Sequence, residues 1–167
     1  EIKGSADEAA VFYNLSHLDT KLNALKTAFP KNTLHAIAVK ANPVVAILKR
    51  IQIAGHGAEV ASMGELNLAF KAGFSADSII YDSPVKTQDE LEVALKAGVL
   101  INANTLEELT VIAELYDSLE SNSKVGIRIN PETGAGEINS TSVAMKYSKF
   151  GVSLSQHRAT LTQAFID

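Results

Sequence analysis

The sequence lacks several features that would restrict its function at once. Its 167 residues include no cysteine, which excludes disulfide bonds, a thiol nucleophile and thiolate metal ligands. No apolar run approaches the roughly 20 residues that a membrane-spanning helix needs. Basic residues are not in excess, since 15 Lys and Arg stand against 19 Asp and Glu, whereas a nucleic-acid-binding face is usually basic. We therefore expect no membrane and no nucleic-acid partner, and the absence of cysteine fits a reducing cytoplasm.

The composition is that of an ordinary globular protein. Hydrophobic residues make up 46% of the chain and charged residues 20%, which is enough for one sizeable core. The chain begins with Glu1 rather than methionine and stops at Asp167 inside a predicted helix. We therefore expect one domain over residues 1–167 that is a fragment of a longer protein.

Short β-type runs alternate with helical patterns along the chain. The runs are centred roughly 20 to 27 residues apart and lie at 34–39, 58–60, 79–81, 99–101 and 125–129. Four capping boxes mark helix starts, in which a hydroxyl and an acid or amide three residues later bond free backbone N–H groups: Ser62-x-x-Glu65, Thr87-x-x-Glu90, Thr105-x-x-Glu108 and Ser153-x-x-Gln156. An additional apolar stripe from Leu15 to Phe29, stopped by Pro30, predicts a helix before the first strand. Strand, capped helix and strand again is typical of βαβ units in a parallel sheet.

Two α/β architectures accommodate this pattern. A doubly wound sheet of five strands would be complete at this length. A (β/α)₈ barrel needs roughly 250 residues, so the chain would hold about its first five units. The expectation of a fragment favours the barrel.

Both architectures place ligand chemistry at the carboxyl ends of the strands. Lys40 directly follows the apolar run 36–39, where desolvation would favour an uncharged, nucleophilic amine, although its side chain could equally extend into solvent. Arg128 shares a strand with Ile127 and Ile129 but not their face, and it is either part of a site or one half of a structural ion pair. Other polar residues near the strand ends are interpreted as turn and cap residues: Asp82, Ser83, Asn102 and Asn104.

The histidines carry no signal for a metal. They are interpreted as surface or packing residues because their spacing matches no metal-ligand pattern: His17, His35, His56 and His157. We predict no metal site.

Four segments, in order, resemble one family. The string His35-Ala36-Ile37-Ala38-Val39-Lys40-Ala41-Asn42-Pro43 is similar to the AVKAN segment of the fold type III, alanine-racemase-like, pyridoxal-phosphate decarboxylases, a group with diaminopimelate, ornithine and arginine decarboxylases. The stretch 57–66 is similar to the family's GADVASxGEL, and Pro84-Val85-Lys86-Thr87 to its PxK segment. Arg128-Ile129-Asn130-Pro131 followed by Ser148-Lys149-Phe150-Gly151 resembles its RxNP and KFG pair. The resemblance extends from Phe12 to nearly the end of the chain.

The resemblance implies a fold, a cofactor and a set of roles. The fold would be the N-terminal part of a pyridoxal-phosphate-binding (β/α)₈ barrel, followed by a β-domain, in a homodimer that shares its active sites. Lys40 would be the catalytic Schiff-base lysine, and Glu59, in place of a more usual Asp, and Arg128 would bind the cofactor. Lys149 would lie at the substrate side of the dimer edge. The glycine-rich phosphate loop and the acid that protonates the pyridine nitrogen are expected beyond Asp167, so we expect the isolated chain to be inactive.

The implied reaction is decarboxylation of a basic or diamino acid, a small-molecule amino-acid substrate. The segment Glu137-Ile138-Asn139-Ser140-Thr141 lacks the histidine of a typical diaminopimelate enzyme, which leaves a specialised relative open. The alternatives are a racemase or pyridoxal-phosphate carrier of the same superfamily, and a non-catalytic homologue that binds other proteins.

Overall fold

The structure is a computed structural model that describes residues 10–133, 144–145 and 148–164. The chain divides into two compact units, Glu1–Thr33 and Leu34–Asp167. In the first unit, helix α1 (Leu15–Ala28) is capped by Asn14, whose side-chain oxygen accepts the His17 N–H at 2.9 Å. The helix predicted from the apolar stripe before Pro30 is therefore confirmed.

The second unit alternates strands and helices. Its elements are β1 (Ala36–Ala38), α2 (Val45–Ile53), β2 (Gly57–Val60), α3 (Met63–Ala72), β3 (Ile79–Asp82), α4 (Gln88–Ala97), β4 (Leu100–Ala103), α5 (Leu106–Ser118), β5 (Val125–Ile127), β6 (Ile129–Asn130), β7 (Val152–Ser153) and α6 (Leu154–Gln163).

Strands β1 to β5 form one sheet in which each strand pairs in parallel with the next along the chain. A doubly wound sheet instead reverses its strand order at a switch point. Sequential parallel order is the arrangement of a barrel wall. The barrel prediction is therefore confirmed as to strand order, and the alternative of a complete doubly wound sheet is wrong.

All four predicted capping hydroxyls cap helices. Ser62, Thr87, Thr105 and Ser153 each accept the N–H of the residue three positions later. At Thr87 the cap's own N–H donates back to the Glu90 side chain at 2.8 Å, which completes the capping box. Glu65 and Glu108 instead accept the N–H of the residue before the cap, Ala61 and Asn104 respectively. The helix starts could thus be read from the sequence, although the second half of the motif differs in detail.

The two faces of the sheet differ in burial. One face packs against the helices and carries the core, including Val60, Tyr81 and Ile101, each 0% exposed. The alternate residues of the same strands, among them Glu59 and Asp82, are half-buried on the opposite face. In a barrel the helices surround the outside, so this second face is the inner one.

The predicted strand 125–129 is interrupted at Arg128. The first part, β5, pairs with β4, and the second part, β6, pairs with β7. Arg128 connects the two, because its N–H donates to Ala103 O at 2.7 Å and its carbonyl accepts the Val152 N–H at 2.8 Å. Strand β7 was not predicted from the sequence, because two residues directly before a helix leave no recognisable alternation.

Candidate functional site

Four charged side chains lie near the carboxyl end of the sheet. Lys40 and Arg128 are the cations, and Glu59 and Asp82 are the carboxylates. The strand register explains the grouping, since Glu59 lies opposite Ile80 and Asp82 follows two positions later on the same face. The site therefore contains two ion pairs side by side.

Lys40 lies in a short 3-10 turn, Val39–Ala41, that follows β1. Val39 is completely buried there, whereas the Lys40 side chain is 63% exposed and its Nζ lies 3.7 Å from Glu59 Oε2. Of the two alternatives drawn from the sequence, burial of the amine or extension into solvent, this chain shows the second, because it turns before Lys40 and directs the side chain toward the inner face of the sheet. The amine is instead accessible and has a carboxylate beside it.

Burial on the sheet raises the pKa of the Glu59 carboxyl above its ordinary value of 4.5. The ammonium of Lys40 opposes this shift and lowers the pKa, while the negative charges of Asp82 and Glu65 raise it further. Glu59 therefore takes up a proton more readily than an isolated glutamate and is sensitive to the charge of Lys40.

Arg128 is held by two different groups. One of its terminal nitrogens, Nη1, lies 3.4 Å from Asp82 Oδ2, and its guanidinium carbon lies 4.4 Å from the centre of the Phe150 ring. The second oxygen of Asp82, Oδ1, is buried and has no hydrogen-bond partner among the described residues. Arg128 therefore has the charged partner that both alternatives from the sequence require, and the pair lies on the same face as Glu59.

Lys149 lies next to Phe150 in the turn that precedes β7. It is exposed, and its Nζ lies 5.1 Å from the centre of the Phe150 ring. Its predicted place at a dimer edge stays a prediction.

Gly151 allows this turn to approach the strand. Its φ is +78°, and a Cβ at this position would lie 2.9 Å from three backbone atoms: Arg128 O, Asn130 N and Ile129 C. Only glycine permits both the backbone conformation and the contact.

Asp82 and Asn104 are predicted from the sequence only as turn or cap residues, and Phe150 has no predicted role. Asp82 could have been recognised from the alternation of β3, which places it on the face of Glu59 once the pairing is known. The contact of Phe150 with Arg128 joins residues 22 positions apart and has no local signal. The segment 137–141, which lacks the expected histidine, lies outside the described residues.

Among the described residues, no three His, Asp or Glu side chains are grouped so that they could hold a metal ion. Within the described ranges no helix is long and apolar enough to cross a membrane.

Comparison with known proteins agrees with the geometry. The family model described as "Pyridoxal-dependent decarboxylase, pyridoxal binding domain" matches residues 15–166. A diaminopimelate decarboxylase of Archaeoglobus fulgidus is 33% identical over 135 residues, which are 81% of this chain and 32% of that protein. The L-glutamyl-[BtrI acyl-carrier protein] decarboxylase of Niallia circulans is 43% identical over 110 residues, 65% of this chain and 25% of that protein.

The fold also matches solved structures. The crystal structure of diaminopimelate decarboxylase from Helicobacter pylori complexed with L-lysine superimposes with a TM-score of 0.79 and 30% identity, over 88% of this chain and 38% of that one. The chain thus spans about a third of the length of these relatives. It belongs to the family of pyridoxal-dependent decarboxylases and corresponds to their pyridoxal-binding domain.

Proposed function

We propose that the protein containing this chain is a pyridoxal-phosphate-dependent decarboxylase of a basic or diamino acid. The chain would form the N-terminal part of its barrel, and the remainder of the barrel and a β-domain would follow. The observation that carries the proposal is the accessible Lys40 amine at the carboxyl end of the sheet, 3.7 Å from a carboxylate and on the same face as Arg128.

These residues fit the cofactor chemically. An exposed primary amine can bond the aldehyde of pyridoxal phosphate, and a fixed guanidinium provides a positive charge for an anionic ligand. Lys40, Glu59 and Arg128 are the residues that would hold the cofactor. When bound, pyridoxal phosphate supplies the electron sink for the loss of CO₂.

The chain's own residues have separate tasks in this proposal. Lys40 would hold the cofactor through its amine, and the Glu59 carboxylate, whose Oε2 lies 3.7 Å from Nζ, would orient that amine and balance its positive charge. Arg128 keeps its charge in one place because Asp82 and Phe150 hold it. Lys149 would lie toward the partner subunit of a homodimer.

The relatives support two substrate classes. Similarity to diaminopimelate decarboxylases supports a free diamino acid. The 43% identity to the Niallia circulans protein favours a second candidate, an amino acid carried on an acyl-carrier protein. CO₂ release measured with free diaminopimelate, lysine and ornithine, and with an aminoacylated carrier protein, distinguishes the two.

The test of the cofactor assignment is reductive trapping in the full-length protein. Borohydride added with pyridoxal phosphate should fix one pyridoxyl group per chain, mapped by mass spectrometry to Lys40. Lys40→Ala should abolish both the label and CO₂ release, whereas Lys49→Ala, which removes an exposed lysine of α2, should change neither. A label elsewhere would overturn the role of Lys40. Labelling without CO₂ release from any of these substrates would favour a racemase or carrier, and no specific labelling a protein-binding homologue.

The oligomeric state and location belong to the same proposal. The protein would be a homodimer, as the family resemblance implies, and a location in the reducing cytoplasm would agree with the cysteine-free sequence. Light scattering of the full-length protein and cell fractionation test these two statements.

A further inference from the structure

The Asn104 side chain joins the end of β4 to the turn that carries Phe150. Asn104 is 3% exposed. Its Nδ2 donates to Lys149 O at 3.0 Å, and its Oδ1 accepts the Gly151 N–H at 2.9 Å. One side chain thus bonds the backbone on both sides of Phe150, across more than 40 positions of sequence.

A buried ion pair holds the backbone of Asn104. Its backbone N–H donates to Glu108 Oε2, and Glu108 pairs with Lys86, whose Nζ lies 3.0 Å from Glu108 Oε1. The Lys86 side chain is 0% exposed and also donates to Ser83 O at 2.9 Å. Asn104, which bonds the turn, is therefore linked to α5 through Glu108 and to the loop after β3 through Lys86.

The turn 149–151, which Asn104 holds, places the Phe150 ring over the Arg128 guanidinium. The Phe150 ring lies 4.4 Å from the Arg128 guanidinium carbon, and Val152, just beyond the turn, bonds the Arg128 carbonyl. A planar guanidinium stacked on a ring keeps its in-plane N–H groups free for an anionic partner. We propose that Asn104 is a positioning residue that sets the orientation of Arg128 in the site by holding the turn 149–151. The inference rests on the proposed function, in which Arg128 lies beside the cofactor.

The chemistry of the side chain makes the proposal specific. Asparagine offers a donor and an acceptor at once, and the turn presents one carbonyl and one N–H. Aspartate could still accept from Gly151 but would place an oxygen against the Lys149 carbonyl. Leucine has a similar size and can make neither bond.

The experiment uses Asn104→Leu and Asn104→Asp in the full-length protein, with Ser123→Ala as the control. Ser123 is also buried and hydrogen-bonded to a backbone carbonyl, that of Leu95, but it precedes β5 at the amino end of the sheet. Amide exchange should lose protection at Gly151 in Asn104→Leu and keep more of it in Asn104→Asp. The Arg128 Nε–H resonance, shifted by the ring current of Phe150, should move in both Asn104 variants and stay unchanged in Ser123→Ala.

A double-mutant cycle tests whether the effect passes through Arg128. Asn104→Leu should weaken pyridoxal-phosphate affinity by about 10- to 100-fold, as expected of a displaced binding group. In an Arg128→Met background the same change should cost less than about twofold, because the group being positioned is gone. Equal losses in both backgrounds would overturn the inference.

The outcomes separate this inference from the proposed function. If the wild-type protein does not bind pyridoxal phosphate, the proposed function fails, and the Gly151 amide and the Arg128 resonance still decide the positioning role. If both signals are unchanged in Asn104→Leu, the positioning role is overturned whatever the cofactor does. If Asn104→Leu does not fold, the same readouts in Asn104→Asp decide, with an unmoved Arg128 resonance again overturning it.

Discussion

The Phe150 ring covers the guanidinium of Arg128, with its centre 4.4 Å from Cζ, while Asp82 binds the guanidinium through Nη1 at 3.4 Å. A ring and a carboxylate together restrict both the tilt and the in-plane rotation of the side chain. The guanidinium is thereby held in one orientation on the inner face.

Replacing Arg128 should therefore cost function more than stability. Arg128→Met keeps the length and the apolar contact with Phe150 but loses the charge. Because the ion pair with Asp82 is partly buried, with side chains 28% and 22% exposed, we expect its loss to cost about 1–2 kcal/mol of stability. We expect CO₂ release to fall by more than about 100-fold, with a melting temperature within a few degrees of the wild type. Arg128→Lys should recover only part of the activity, because an ammonium cannot stack as a plane. Loss of most of the thermal stability, with normal turnover by the remaining folded protein, would show a structural role instead.

Local chemistry explains what could be predicted from the sequence. Helix caps, glycine stops and apolar strands are encoded within a few residues, so the βα order and the place of Lys40, Glu59 and Arg128 near the strand ends could be predicted. Their roles toward a cofactor are implied only by the resemblance to the family. The exposure of Lys40 could not be decided from the sequence, because it depends on where β1 ends and the 3-10 turn begins. The contacts of Asn104 with the turn 149–151 could not be predicted either, because they join residues 45 and 47 positions apart. Such pairs are decided by strand order and register.

The raised pKa of Glu59 predicts a pH dependence of stability. Above the ordinary carboxyl value of 4.5, the folded protein holds a proton on Glu59 that the unfolded chain has released, so stability falls as pH rises through the folded pKa. Glu59→Gln removes this titration. Its melting temperature relative to the wild type should be lowest at low pH and rise as the pH increases above the ordinary carboxyl value of 4.5.

Glu107 offers a control of opposite sign. Its own backbone N–H, together with the Thr105 hydroxyl, lowers the pKa of this exposed carboxyl, so its contribution is present at neutral pH and lost as pH falls through the folded value. Glu107→Gln should therefore lose any difference from the wild type at low pH and be the less stable protein at pH 7. The same pH trend in both variants would contradict the assignment.

The buried Lys86–Glu108 pair predicts an asymmetric mutational cost. Lys86→Met leaves the Glu108 carboxylate, only 12% exposed, without its cation and should destabilise by about 3–5 kcal/mol in urea unfolding. Adding Glu108→Gln should restore part of this loss, since the amide carries no charge to desolvate and its oxygen can still accept the Asn104 N–H. The exposed pair Lys96–Glu92 is the control, and Lys96→Met should cost less than about 1 kcal/mol. Similar costs for the two lysines would contradict the importance of burial.

Replacing Gly151 by alanine should lower the stability of the protein by more than the positive φ of this residue alone explains. Gly73 and Gly151 both have positive φ, +95° and +78°, but the nearest atom to a new Cβ at Gly73 is 3.8 Å away, in the flexible Gln52 side chain. Gly73→Ala should therefore cost roughly 1–2 kcal/mol, the price of left-handed backbone. Gly151→Ala adds three backbone contacts at 2.9 Å, so the turn must move away from β6. We expect a larger loss of stability and, because Phe150 moves with the turn, a shifted Arg128 Nε–H resonance that Gly73→Ala does not produce. Equal stability losses and an unshifted resonance would mean that the turn tolerates a side chain where it meets the strand.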